Sequence, residues 1–181
     1  MPPIRTPGTS APRGTPGTSP SGPNVRDPDL TEPRSVGIDG ERPESDDDFL
    51  AAVAFNEDRT EPAVLRLRYV TVRRDRRGDG LGPKLCRFVA ERAAERGYDR
   101  VRIAVNNPFA YGALYRAGFA YTEKKTGIAE LVLERPTERP ATDRSERTYQ
   151  TGLDEYRGRD LSEEERAFLE RKRGCDPPPV V

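Results

Sequence analysis

The chain has 181 residues, with 31 basic and 31 acidic side chains, no His, no Trp, two Cys, 18 Pro and 16 Gly. Without histidine, Ser-His-Asp and Cys-His nucleophilic arrangements and every His-containing metal site are excluded, and two distant thiols, Cys86 and Cys175, form neither a disulfide framework nor a zinc site. The longest apolar run, Phe49 to Phe55, has seven residues, against the roughly 20 that a bilayer span needs, and balanced charge gives no global pull toward nucleic acid or membrane. A cytoplasmic protein without a metal is expected.

Residues 1 to 34 repeat the pentapeptide Thr6-Pro7-Gly8-Thr9-Ser10 as Thr15-Pro16-Gly17-Thr18-Ser19, in a stretch dominated by Pro, Gly, Ser, Thr and charge. Such a composition buries too little apolar surface to offset its ordering entropy, so a disordered tail is expected there. Phe49 to Phe55 and Ala63 to Val72 then read as two strands joined by a polar loop. In the second, Leu65, Leu67 and Tyr69 alternate with Arg66 and Arg68, so period two puts the three apolar side chains on one face.

After the polar, glycine-containing turn Arg73 to Gly80, apolar residues recur at Leu81, Leu85, Phe88, Val89 and Ala93, the spacing of a helix with one buried stripe. Pro83 fits its first turn and Gly97 its end. Val101, Ile103 and Val105 mark a further strand, Pro108 to Tyr115 a second helix closed by Gly118, and Phe119 to Lys124 with Ile128 to Leu133 a hairpin. The organisation expected is a 1–34 tail, an α+β domain over 35–135, a polar linker over 136–147, a helical extension over 148–174 and a tail over 175–181. In the extension, Ser162 and Glu165 form a capping box before Phe168 and Leu169, and Gly174 stops the helix.

The chemistry concentrates in Val70-Thr71-Val72-Arg73-Arg74-Asp75-Arg76-Arg77-Gly78-Asp79-Gly80-Leu81-Gly82, where a strand enters a glycine-rich turn that opens a helix. Glycines let the backbone approach an anion, free amides at the helix start donate to its oxygens, and the helix dipole adds positive potential. A P-loop would need Gly-Lys-Ser/Thr where this chain has Gly-Pro-Lys, and the glycines lack the dinucleotide-fold spacing. Arg73, Arg74, Arg76 and Arg77 do not make a nucleic-acid patch, because Asp75 and Asp79 interrupt them and no aromatics interleave.

The segment resembles the acyl-CoA-binding motif of the GNAT acetyltransferases: Arg77, Gly80 and Gly82 meet its Arg/Gln-x-x-Gly-x-Gly/Ala signature. The likeness continues through the helix, the strand Val101 to Val105, Asn107 and Leu114-Tyr115-Arg116-Ala117-Gly118-Phe119, covering roughly residues 49 to 134. It implies a GNAT-like acyl-CoA-binding fold in which neighbouring parallel strands splay around the pantetheine arm. Backbone groups of Val70, Thr71 and Val72 would bind that arm, amides of Arg77, Gly78, Asp79, Gly80, Leu81 and Gly82 would take the pyrophosphate, and Asn107 would add a contact. Acetyl-CoA becomes the acyl donor, an amine-bearing small molecule or protein the acceptor, and Tyr115 the general acid for the departing thiolate, with Tyr111 as substitute. A non-catalytic acyl-CoA-binding module of the same fold is the alternative.

Three departures accompany the resemblance. Tyr115 stands three residues before Gly118, where four is usual. The family's Leu-Glu-Val run reads Ile103-Ala104-Val105, so no residue inherits a general-base role, and Glu61, Glu123 and Glu130 qualify on position alone. The helices that ordinarily wall the acceptor site have no counterpart before Phe49; the segment Thr148 to Gly174 or a second subunit in a homodimer would supply it. Arg66 and Arg68 read as surface or interface arginines, or as a site for an acidic acceptor.

Overall fold

The computed structural model describes residues 34–37 and 49–181; the expectations for the repeats and the rest of the N-terminal tail lie outside the described residues. Six strands, β1 (Arg34–Gly37), β2 (Ala51–Glu57), β3 (Val64–Val72), β4 (Arg100–Val105), β5 (Ala120–Lys125) and β6 (Leu131–Pro136), form one mixed sheet in the order β1-β2-β3-β4-β6-β5. Among the described residues, only β3 and β4 are paired in parallel. Four helices complete an α+β fold: α1 (Leu81–Glu95), α2 (Pro108–Arg116), α3 (Glu146–Arg157) and α4 (Glu163–Arg171).

Strand alternation sorts the sheet into a core face and an open face. Val101, Ile103 and Val105 of β4 are buried, and opposite them on β6 stand the equally buried Arg135, Leu133 and Leu131. Leu85, Cys86, Val89, Ala90 and Ala93 of α1 join these residues in one core. Phe88, expected in that stripe, sits 40% exposed at its margin, where its ring lies beneath the Arg92 guanidinium. The open face instead carries Arg66, Arg100, Arg102 and Glu134, a polar surface that needs no helix over it.

One expectation about faces is corrected. Between Leu67 and Tyr69 the pairing with β2 slips, Leu67 standing opposite Phe55 but Tyr69 opposite the next residue, Ala54, so Arg68 is an extra, bulged residue. The bulge inverts the alternation beyond it. Val70 and Val72 therefore take over the core face, packing against the cluster, while Tyr69 turns outward and is 72% exposed.

The β3–β4 ladder is short, with Val64, Leu65 and Arg66 standing opposite Arg100, Val101 and Arg102. Past that point β3 runs on to Val72 and β4 to Val105 without pairing, which leaves a wedge-shaped gap. At the closed end, Arg102 reaches Glu134 at 2.6 Å, Glu61 at 2.7 Å and Asp58 at 3.5 Å, and Arg100 reaches Glu61 at 2.6 Å. This cluster ties β4 to β6 and to the β2–β3 loop, so the two strands can part only at the other end.

The C-terminal helices belong to the same core. Tyr149, Leu153, Tyr156 and Leu169 are fully buried with it, which explains how α3 and α4, too short and too polar to persist alone, stay folded. The Ser162–Glu165 capping box is present in both directions. Among the described residues, no helix is long and apolar enough to cross a membrane.

Candidate functional site

The open end of the gap meets the loop between β3 and α1. That loop holds one 3-10 turn, Arg74–Arg76, then Gly78 and Gly80 with positive φ of 94° and 79°, and Gly80 is the N-cap of α1. A left-handed glycine there leaves no side chain to cap the helix, and none does. The amides of Gly78, Gly80, Leu81 and Gly82 find no backbone acceptor in the loop, so they are available to an external anion. At Gly82, a Cβ would lie 3.4 Å from the Val72 side chain, so the helix start and the strand end are already in near contact.

The charges of the loop are partly spent within it. Arg73 makes a two-point contact with Asp75, at 2.7 and 3.0 Å, and Arg76 donates to Asp79 at 2.8 Å. The Arg73 guanidinium holds the Asp75 carboxyl below the usual carboxylate range. Arg77 folds back on the Val72 carbonyl at 3.4 Å. A further cation arrives from α2: the Arg116 guanidinium lies 3.6 Å from where a Gly80 Cβ would be. Its position in the Leu-Tyr-Arg run carries no charge signature, so only the packing of α2 beside α1 exposes its place at the loop.

Val70, Thr71 and Val72 stand on the unpaired stretch of β3, opposite Val53, Ala52 and Ala51 of β2 on one side and facing the gap on the other. Asn107 is engaged locally, as the N-cap of α2, its Oδ1 accepting from the Ala110 amide at 2.8 Å. The loop, the strand edge and Arg116 thus converge, while Asn107 lies at the far strand's end with its oxygen committed.

Tyr115 does not join them. It is fully buried, and its hydroxyl accepts from the Tyr121 amide of β5 at 3.1 Å. That hydroxyl is thus held at β5, which β6 separates from β4. Tyr111, the substitute, is equally buried and donates to the Tyr149 carbonyl at 3.1 Å. Both hydroxyls are thus engaged by backbone groups inside the core. Tyr115 belongs to a cluster with Tyr111, Tyr121, Tyr149 and Tyr156. Burial pushes their hydroxyls up, that of Tyr149 to about 12.

The base candidates fare no better. Glu61 belongs to the ionic cluster at the closed end, where hydrogen bonds from Arg102 and Arg100 hold its carboxyl below the ordinary range. Glu123 is exposed on β5, and Glu130 is engaged with Thr126 in the hairpin turn. Cys86 is buried, its thiol pushed up to about 12 by desolvation, and is no nucleophile.

The C-terminal extension reaches the open end of β4. Tyr156 donates to the Val105 carbonyl at 3.1 Å, and Arg159 donates to the Asn106 and Ala129 carbonyls at 3.3 and 2.6 Å. These contacts fasten α3 and the segment after it to both β4 and the β5–β6 hairpin.

A glycine-rich helix start lies at the mouth of a splayed parallel pair, and the profile of the Acetyltransferase (GNAT) family aligns with residues 22–119, more than half of the chain. The chain belongs to the GNAT acetyltransferase family. The match begins well before Phe49, where the resemblance in the sequence starts, and ends at Phe119. Solved structures of similar fold include a nourseothricin acetyltransferase, 23% identical, covering 61% of this chain and 68% of that one at a TM-score of 0.47. A Bacillus subtilis acetyltransferase in complex with CoA is 16% identical, covering 51% and 72% at 0.43. An aminoglycoside 6'-N-acetyltransferase complexed with coenzyme A is 11% identical, covering 55% and 72% at 0.45. No curated protein sequence matches the chain. GNAT membership gives acyl transfer from CoA as the general activity.

Proposed function

We propose that this protein transfers an acetyl or other short acyl group from CoA to an amine by direct attack within a ternary complex. The observation that carries the proposal is the loss of the β3–β4 ladder after Arg66 and Arg102, beside a helix start whose glycine-loop amides are unpaired. The residues present fit acyl-CoA. The amides of Gly78, Gly80, Leu81 and Gly82 and the Arg116 guanidinium would hold the pyrophosphate, and the free edge of Val70 to Val72 would bind the pantetheine as an added strand would. The bound thioester supplies an activated carbonyl.

The chain's own residues then act mainly by orientation. β3 and β4 fix the approach to the gap, and Tyr156 and Arg159 hold the end of β4. The hydroxyls of Tyr115 and Tyr111 are engaged within the core, and direct transfer does not depend on them, because a thiolate is a good leaving group. Direct attack also agrees with the burial of Cys86.

The reading is tested by following release of the CoA thiol from acetyl-CoA across a panel of amines. Release that requires amine, with no initial burst in its absence, is expected. A stoichiometric burst without amine would indicate an acyl-enzyme and overturn direct transfer. The displaced Tyr115 favours a second reading, a non-catalytic acyl-CoA-binding module, which predicts binding without turnover of any amine.

A further inference from the structure

The bulge at Arg68 does more than reverse a strand's alternation. It places two neighbouring side chains, Arg68 and Tyr69, in solvent at the middle of the β3 stretch that β4 leaves unpaired. Tyr69, at 72% exposed, is an unusually open aromatic for a strand in the interior of a six-stranded sheet. The open face around it is low, with Ala52 and Ala54 on β2 and Ala104 on β4.

Its electrostatics are one-sided. Among the described residues of the open face, the carboxylates of Asp58, Glu61 and Glu134 lie at the closed end and are committed to Arg66, Arg100 and Arg102. Neither β3 nor β4 carries any carboxylate. Arg68 makes no ion pair or hydrogen bond among the described residues, and Tyr69 offers a ring and a hydroxyl beside it. A guanidinium without an acid is matched to an anion, which it binds by a planar two-point contact. A polycationic acceptor would meet repulsion at the same place.

We propose that Arg68 and Tyr69 form the acceptor-recognition site, and that the acceptor is an amine whose own molecule carries a carboxylate. Arg68 pairs with the carboxylate, Tyr69 packs along the carbon chain, and the amine is directed at the gap. This inference rests on the acyltransfer reading above and adds the substrate class to it.

The test compares ω-amino acids of three to six carbons with alkylamines and diamines of equal length, in wild type, Arg68→Ala, Arg68→Lys and Tyr69→Ala. Release of the CoA thiol is the readout for transfer, and stabilisation by acetyl-CoA alone is measured on every sample. The proposal expects kcat/KM at least tenfold higher for the best amino acid than for its alkylamine. Arg68→Ala should reduce that preference to less than threefold through KM, with Arg68→Lys intermediate, and Tyr69→Ala should raise KM for both classes. All variants should keep wild-type stabilisation by acetyl-CoA, which reports that fold and donor site are intact. A preference for diamines, a carboxylate preference that survives Arg68→Ala, or donor binding without turnover of any amino acid would overturn the assignment. Loss of acetyl-CoA binding in wild type would instead bring down the acyltransfer reading itself.

Discussion

Tyr115 illustrates how a single residue's packing decides its chemistry. Its hydroxyl accepts one backbone hydrogen bond from Tyr121, inside a fully buried cluster. Tyr115→Phe is therefore expected to cost about 1 kcal/mol of stability for that bond and to change kcat by less than about threefold. A general acid would instead cost on the order of 10² to 10⁴ in rate, so a loss of that size at unchanged acetyl-CoA affinity would contradict the placement. At this scale the sequence was readable where chemistry is local and opaque where it depends on packing. The glycines of the anion loop announce themselves because only glycine tolerates their backbone angles and close approach. Arg116 gives no such sign, since its role comes from the position of α2 against α1. Tyr69 lies on the open face rather than the expected core face because the bulge at Arg68 shifts the phase of the alternation, from Leu65 and Leu67 before it to Val70 and Val72 after it.

Elements were legible to within a few residues wherever a periodic stripe was bounded by its own punctuation. α1 runs from the left-handed Gly80 to just before Gly97, and α4 begins at its capping box. The packing of α3 was not legible, because it depends on a contact between distant segments. A Cβ on Gly152 would collide with the Tyr111 hydroxyl and lie 2.7 Å from its Cε2, so the absence of a side chain lets α3 lie directly on α2. Gly152→Ala should accordingly destabilise the protein by about 1 to 3 kcal/mol, despite alanine's better helix propensity. Adding Tyr111→Phe, which removes the colliding oxygen, should restore part of the loss. Chemical denaturation checks both, and an unchanged or raised stability for Gly152→Ala would show that α3 sits elsewhere.

Across the whole molecule, the sheet is closed at one end by charge and open at the other, while the helical layer is fixed by a tyrosine cluster. That cluster makes a prediction about pH. Burial keeps its hydroxyls protonated above the unfolded tyrosine pKa of about 10, with Tyr149 pushed up to about 12. Their contribution is thus fully present below about pH 10 and declines above it, because the unfolded chain then loses protons that the fold retains. Tyrosinate absorbance from the cluster should accordingly appear together with loss of near-ultraviolet circular dichroism, between about pH 10 and 12. Ionisation of these tyrosines with the native spectrum intact would contradict their burial. The order of strands and helices over residues 49 to 136 was foreseeable from periodicity, whereas the wedge between β3 and β4 was expected only through the family resemblance, because pairing partners are set by the whole sheet.

The claim on which the account turns is that the β3–α1 loop and the gap beside it hold acyl-CoA. Thermal unfolding with and without acetyl-CoA tests it most directly, using wild type and Gly82→Trp, whose side chain should obstruct the loop from a position without a positive φ. At a hundred times its dissociation constant, acetyl-CoA should add roughly 2.7 kcal/mol to wild type, a rise in Tm of about 5 to 10 °C, and little or nothing to the variant. An unmoved Tm in folded wild type, or an equal rise in both proteins, would contradict the account.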